Sequence, residues 1–331
     1  MSIRSMTRKG LLGLAAITVI ALLSVVLFPT TAQAAYPDRP ITLIVPFGAG
    51  GGTDQVARTL AAIMQEDLGV PVNVVNREGG GGAVGHTAGA TARPDGYTLT
   101  MITAELVMMH WQGLTQLDYT SFAPIGIVNM DPASVLVAAD SPWHTLDELM
   151  ADIKANPGYY KASGTGAGAI WDVARVGWLT TAGLTSNHLP WIPSTGAAQA
   201  LQELIAGGVH VVTNSIVEGR SMILAGTVRP LAVMAEQRVA AFPDVPTLKE
   251  LGIDWSLGTW RGIAVPAGTP AEIVKTLENS LAKAVASEQF TSFMNNMGFG
   301  IYWLPSEQAY EFLSEQDQVM GELMRQMGVA K

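Results

Sequence analysis

The segment Pro46-Phe47-Gly48-Ala49-Gly50-Gly51-Gly52-Thr53-Asp54 lies between an apolar, β-branched run and a helical pattern. The run is Ile41 to Val45; in the helix Val56, Leu60, Ile63 and Met64 recur at helical spacing until Gly69 and Pro71 stop it. A glycine-rich turn from strand into helix constrains the architecture strongly. Val72 to Val75 restarts a strand, a small-residue helix follows Gly82, and Tyr97 to Ile102 reads as the next strand. This alternation predicts an α/β fold with a mostly parallel sheet covered by helices.

A second unit of the same kind begins after Leu136 to Pro142, where Thr145 and Glu148 form a capping-box pair opening a helix through Lys154. It continues with a strand ending near Ala162, helices near Trp171 to Leu179 and Gly196 to Ala206, and strands at His210 to Thr213 and Val228 to Met234. Leu257 to Val265 is apolar and glycine-spaced, and is read as crossing back to the first unit. Thr269-Pro270 is read as capping a helix with proline in its first turn, and a last helix follows Ser306. The expectation is a hinged clamshell of two discontinuous lobes, residues 35–137 with 259–331 and residues 138–258. Its ligand would sit beyond the carboxyl ends of the strands.

Arg4, Arg8 and Lys9 precede an apolar run from Leu11 to Phe28, and Ala32-Gln33-Ala34 follows just before Ala35 and Tyr36. That order predicts a cleavable secretory signal over residues 1–34, in preference to a membrane anchor. The chain has no cysteine, which rules out a lipid attached at cysteine, disulfides and thiolate metal sites. Three of the 19 Lys and Arg residues lie in the signal, so the remainder sets 16 cations against 28 acids, near −12. Nucleic acid and acidic membrane surfaces are poor partners for such a chain, but an anion held locally by backbone amides is not excluded.

Two readings stand for the first loop. Its glycines and the helix N-terminus can cradle an anion on backbone N–H groups, or the loop is a tight turn in which Asp54 caps the helix. It lacks the Lys-Ser/Thr of a phosphate-binding loop, and Gly48-Ala49-Gly50 lacks the full dinucleotide fingerprint. Ser163-Gly164-Thr165-Gly166-Ala167-Gly168 repeats the device in the second unit, which favours two anion cradles facing one cleft. Asn76-Arg77-Glu78-Gly79 to Gly82 is a third such loop. The candidate ligand-binding residues are Phe47, Gly48, Ala49, Gly51, Thr53, Asp54, Thr103, Glu105, Ser163, Thr165, Gly166, Ala167, Gly168, Trp171, Thr195, Thr213 and Asn214. Trp111, Trp171, Trp191 and Trp260 fall near the expected cleft or crossings, with core packing the default role for most of them.

The five histidines, His86, His110, His144, His188 and His210, show no metal-ligand spacing, and no nucleophile elbow is present. Neither a metal, a cofactor nor a catalytic residue is expected. A secreted hydrolase or isomerase using Asp54 and Glu105 as an acid–base pair is the competing class.

At these loops the chain resembles the substrate-binding component of tripartite tricarboxylate transporters, the TctC or Bug family. The resemblance rests on Tyr36-Pro37-Asp38-Arg39-Pro40-Ile41, Gly50 to Asp54, Asn76-Arg77, Pro94-Asp95-Gly96-Tyr97-Thr98-Leu99 and Gly207-Gly208-Val209. It continues through Phe242-Pro243-Asp244-Val245-Pro246-Thr247-Leu248 and Pro266-Ala267-Gly268-Thr269-Pro270. It implies a type II periplasmic-binding-protein-like clamshell, monomeric and periplasmic. Such a receptor closes on a small organic acid and delivers it to the large and small membrane subunits of a permease; a ligand-sensing adaptor for a membrane kinase is the variant of that role. By position, Phe47 to Asp54 and Ser163 to Ala169 match the family's two ligand loops. Ala167-Gly168-Ala169-Ile170-Trp171 replaces a serine-rich stretch with His-Leu, and Ala104-Glu105 replaces a small or hydroxyl pair. A carboxylate at Glu105 would repel a second anion and hints at a ligand hydroxyl, amine or bound cation.

Overall fold

The computed structural model describes residues 36–328 and 330. The expected signal segment lies outside them. Strand β1 (Ile41–Val45) buries Ile41, Leu43 and Val45 completely. Helix α1 (Gly52–Leu68) sets Val56, Leu60 and Met64 against the core and ends at Gly69, whose left-handed φ of 71° lets its amide bond Gln65 O. Then come β2 (Val72–Asn76), α2 (Ala83–Ala90) and β3 (Thr98–Thr103). β1 runs parallel to both β2 and β3, as the alternation predicts.

The next strand, β4 (Phe122–Ala138), is 17 residues long. Helix α3 (Leu146–Ala155) opens on the expected capping box of Thr145 and Glu148. β5 (Ala162–Ser163), α4 (Ile170–Thr181), α5 (Ala197–Ile205), β6 (Val211–Ser215), α6 (Arg220–Leu224), β7 (Val228–Val233) and β8 (Gly258–Pro266) follow. The chain ends with α7 (Ala271–Ala286), α8 (Glu288–Met297), β9 (Ile301–Pro305) and α9 (Ser306–Gln326). α7 starts one residue later than expected. Pro270 is its N-cap, and the Thr269 hydroxyl bonds Pro266 O instead of capping the helix.

The strand order is β2-β1-β3-β8-β4-β6-β5, with β7 and β9 also paired to β4. From Phe122 to Pro132, β4 pairs with β8 and, over part of that length, with β9; from Ala133 it pairs with β6 and β7. One strand therefore serves two sets of neighbours, and Arg39–Lys331 forms a single unit. The sheet is mixed as expected, but its antiparallel share is larger than a mostly parallel reading allows. β4 runs antiparallel to all four of its partners, and β8 runs antiparallel to β3 as well. Sequence patterning missed β4, which Pro124 and Pro132 interrupt; proline donates no ladder bond, and the register shifts next to Pro124. The glycine spacing of β8 has a steric cause. A Cβ on Gly262 would lie 2.6 Å from Gly126 O across the ladder.

Among the described residues no helix is long and apolar enough to cross a membrane. Leu60, fully buried on α1, tests the packing of this half. Leu60→Ala should lower the unfolding free energy by about 2–5 kcal/mol, read as a shift of the urea midpoint at unchanged slope. A change below about 0.5 kcal/mol would contradict the buried placement.

Candidate functional site

The two glycine loops share one internal construction. In the first, Asp54 turns back so that Oδ2 accepts from Gly50 N and from Arg58 Nε, each at 2.9 Å, while Oδ1 accepts from Asn76 Nδ2 at 2.9 Å. Burial would raise the pKa of Asp54, but the bonds from Arg58, Gly50 and Asn76 outweigh it and hold the carboxyl below its ordinary value. In the second, Asp172 Oδ2 accepts from Gly168 N at 2.9 Å, and Oδ1 pairs with Arg175 Nη2 at 2.6 Å. A glycine, an aspartate four residues on and a following arginine make the same brace twice. Asp54 is thereby committed to loop shape, and its carboxylate does not pair with Glu105 for acid–base work.

Between the loops lies a small cavity of about 20 Å³. Its walls include Phe47, Gly48, Gly51, Gly52 and Thr53 from the first loop, Glu105 after β3, and Thr165, Ile170 and Trp171 from the second loop and α4. Gly196 and Ala197 at the start of α5, then Glu218, Thr259 and Arg261, complete it. Three helix N-termini thus meet here, those of α1, α4 and α5, and none is capped by the side chain of its own N-cap residue. Their first N–H groups are the donors a helix leaves unmet.

Two of those N-termini are met by the chain's own acids. Glu218 Oε1 accepts from Gly52 N at 3.2 Å and from Arg261 Nη2 at 2.9 Å, while Oε2 accepts from Ser215 N at 3.3 Å. Glu105 Oε1 accepts from Ile170 N at 3.1 Å, and its other oxygen accepts from the Thr103 hydroxyl. Burial pushes both glutamates above their ordinary values; the Thr103 and Ile170 bonds oppose this at Glu105, and Arg261 opposes it at Glu218. Arg261 is itself buried, donating to Thr53 Oγ1 at 3.0 Å, to Asp131 Oδ2 at 2.7 Å and to Asn129 Oδ1.

Other contacts bring the halves together. Gly48 N donates to Thr195 O at 3.2 Å, and Gln112 Nε2 donates to Gly168 O. A Cβ on Gly166 would lie 2.7 Å from Gly81 Cα, so the second and third loops approach backbone to backbone. A neighbouring cavity of about 500 Å³ shares Phe47 and is lined by Gly79 to Gly82, Gly166, Ala167, Thr195 and Gln199.

Of the residues expected from sequence, Phe47, Gly48, Gly51, Thr53, Glu105, Thr165 and Trp171 meet at the inner cavity, and Gly166, Ala167 and Thr195 at the outer one. Thr103 stands one bond behind Glu105. Ala49, Asp54 and Gly168 belong to the loops but line neither cavity. Ser163 is turned to Ile192 O at 2.7 Å, Thr213 to Trp171 O at 2.8 Å, and Asn214 is fully buried in β6. Trp260 packs edge-on against Phe312, Trp191 bonds Thr165 O, and Arg325 lies over the Trp111 ring. Sequence reasoning missed Gly196, Ala197, Glu218 and Arg261. The visible signal for Arg261 was a lone charge inside the apolar run of β8.

The model of the family described as "Tripartite tricarboxylate transporter family receptor", TctC, matches residues 56–329. The chain belongs to that family. This TctC-family receptor is 32% identical to a UPF0065 protein of Bordetella pertussis over 94% of its own length and 96% of the relative's. Its fold is similar to the periplasmic binding protein BugD, at a TM-score of 0.84 and 32% identity, over 89% of this chain and all of that one. It is also similar to MatC of Rhodopseudomonas palustris, solved with bound malate, at a TM-score of 0.80 and 26% identity over 87% and 99% of the two chains. The family is one of binding proteins for transport rather than enzymes. Among the described residues no group of three or more metal-ligating side chains is gathered.

Behind Glu105, His86 ties the third loop to the site. Its Nδ1 bonds Gly82 O at 2.8 Å and its Nε2 faces Thr103 N at 3.3 Å, an arrangement that suits the neutral ring with the proton on Nδ1. Burial depresses its pKa from 6.5 to about 4. The unfolded chain takes up this proton as pH falls through 6.5, the folded one only near 4. His86 therefore contributes stability that is full above the unfolded value and declines by about 3 kcal/mol across that window. Glu105, raised in the folded state, works in the opposite direction. The difference in unfolding free energy between the protein and His86→Gln should therefore shrink by about that amount from pH 6.5 to 4. A constant difference would contradict the neutral, buried ring.

Proposed function

We propose that this chain is a periplasmic receptor, released by cleavage after Ala34, that captures a small organic acid and delivers it to the large and small membrane subunits of a tripartite tricarboxylate transporter. The observation that carries this reading is the convergence on one cavity of three helix N-termini whose own N-cap residues supply no side-chain cap, two of them met instead by Glu218 and Glu105. Such N-termini offer fixed N–H donors and a partial positive charge to a carboxylate, without a dedicated charged side chain. The similarity to a malate-bound protein supports the same ligand class.

Residues 35–137 with 259–331 and residues 138–258 act as the two lobes, with β4 and β8 as the crossings between them. The change of β4 pairing at Pro132–Ala133 supports a hinge close to the first crossing. At about 20 Å³ the inner cavity has room for little more than a water, so the lobes must part to admit an acid and close again around it. Phe47, Gly48, Gly51, Thr53, Thr165 and Trp171 would touch the ligand. Ala49, Asp54, Gly168 and Thr213 hold the loops that do, and Asn214 supports them from within β6.

Purified protein should melt higher with a bound mono-, di- or tricarboxylate, gaining about 2.7 kcal/mol at a hundredfold excess over Kd. Gly51 has ordinary extended backbone, and a Cβ there meets nothing closer than Gly48 O at 3.6 Å. Gly51→Leu should thus fold normally yet weaken binding at least about tenfold by filling the cradle. A folded Gly51→Leu protein with unchanged affinity would place the site elsewhere.

A further inference from the structure

We propose that the acid taken up at this site also carries a cationic nitrogen, as an amino acid does, and that Glu105 and Glu218 select for it. The inference rests on the carboxylate-receptor reading and narrows its ligand class.

The charge at the inner cavity does not suit a plain polycarboxylate. Glu105 and Glu218 line it, and the guanidinium in its lining, Arg261, is already engaged by Glu218 and by Asp131 behind it. Three carboxyl groups against one guanidinium give this buried cluster an acidic balance, and like charges brought together there interact strongly. A second anion brought against Glu105 and Glu218 increases that excess; an ammonium group between them removes it. Each glutamate oxygen takes one or two donors in the closed structure, so acceptor positions on both side chains are still free for N–H donors. Phe47 and Trp171 line the same cavity, and aromatic side chains attract a cation placed over their rings. A metal ion is a poorer candidate, since among the described residues no cluster of three ligating side chains exists.

Other groups in the same lining suit an anion. The N-terminus of α5 opens at Gly196 and Ala197. Beside it in the same lining is Thr165, 4% exposed, whose hydroxyl has no hydrogen-bond partner. A buried hydroxyl left unpaired costs stability unless a ligand meets it. The N-termini of α1 and α4 are occupied by Glu218 and Glu105, whereas α5 and Thr165 together remain for the ligand's carboxylate. The lining thus combines acidic side chains with free donors, the two kinds of group a zwitterion requires.

The test compares acids that share a carbon skeleton and differ at one position. Propionate, lactate and L-alanine form one set; succinate, L-malate and L-aspartate a second; glutarate, 2-hydroxyglutarate and L-glutamate a third. Calorimetric titration of the purified protein should find the nitrogen-bearing member tightest in the set that binds best, by at least about tenfold. In Glu105→Gln and Glu218→Gln proteins the ratio between the nitrogen-bearing and the plain member should fall to within about threefold. If either variant fails to fold by circular dichroism, the comparison on the unmodified protein decides alone. A plain or hydroxy acid binding as tightly as its amino counterpart overturns the inference while leaving the carboxylate receptor intact. Absence of binding by all nine acids removes both.

Discussion

Arg261 is the constraint around which the site is organised. A guanidinium cannot shed its charge, and burying it is costly unless nearly every N–H finds an acceptor. Its partners come from Thr53 on α1, Asn129 and Asp131 on β4, and Glu218 beyond β6. Both crossing strands and an element from each half therefore meet at one side chain. The same requirement aims Glu218 at Gly52 and so places a carboxylate on the N-terminus of α1. Removing one partner would leave an uncompensated buried charge, which is why the arrangement holds together as a unit.

This arrangement reconciles an acidic protein with the anion site proposed for it. The chain carries a formal net charge of −9, but solvent screens surface charges over about 10 Å. Inside the cavity only groups within a few ångströms matter, and there the donors are backbone amides fixed by glycine loops. Each loop keeps its shape through an aspartate bonded back to a glycine amide, Asp54 to Gly50 and Asp172 to Gly168. The braces also explain why acids placed beside the cradles are not simply ligand contacts. Two of them shape loops, and the glutamates Glu105 and Glu218 reach across to occupy helix ends.

Much of the fold was legible in the sequence because local signals agreed with it. The apolar run of β1, the helical spacing of α1 up to Gly69 and the Thr145–Glu148 capping box are all short-range features, and the structure has each of them. What was not legible depended on long-range pairing. β4 hid behind Pro124 and Pro132, and the antiparallel crossings of β4 and β8 could not be foreseen from βαβ alternation. At the site, the glycine loops announced themselves through composition, and Thr165 and Trp171 followed from the second loop's position. Arg261, Glu218 and the start of α5 come together only through the tertiary fold. A lone arginine in an apolar strand was the one local hint. Thr213 and Asn214, expected as ligand contacts, are buried within β6.

The central claim is that a carboxylate is held where the N-termini of α1, α4 and α5 converge. Backbone amide NMR, with the most stabilising acid from the melting screen titrated in, addresses it at the atoms concerned. The account predicts the largest shift changes at the amides of Gly51, Thr165, Gly196 and Ala197, all at the inner cavity. Largest changes at residues remote from it, with these amides unmoved, would contradict the account.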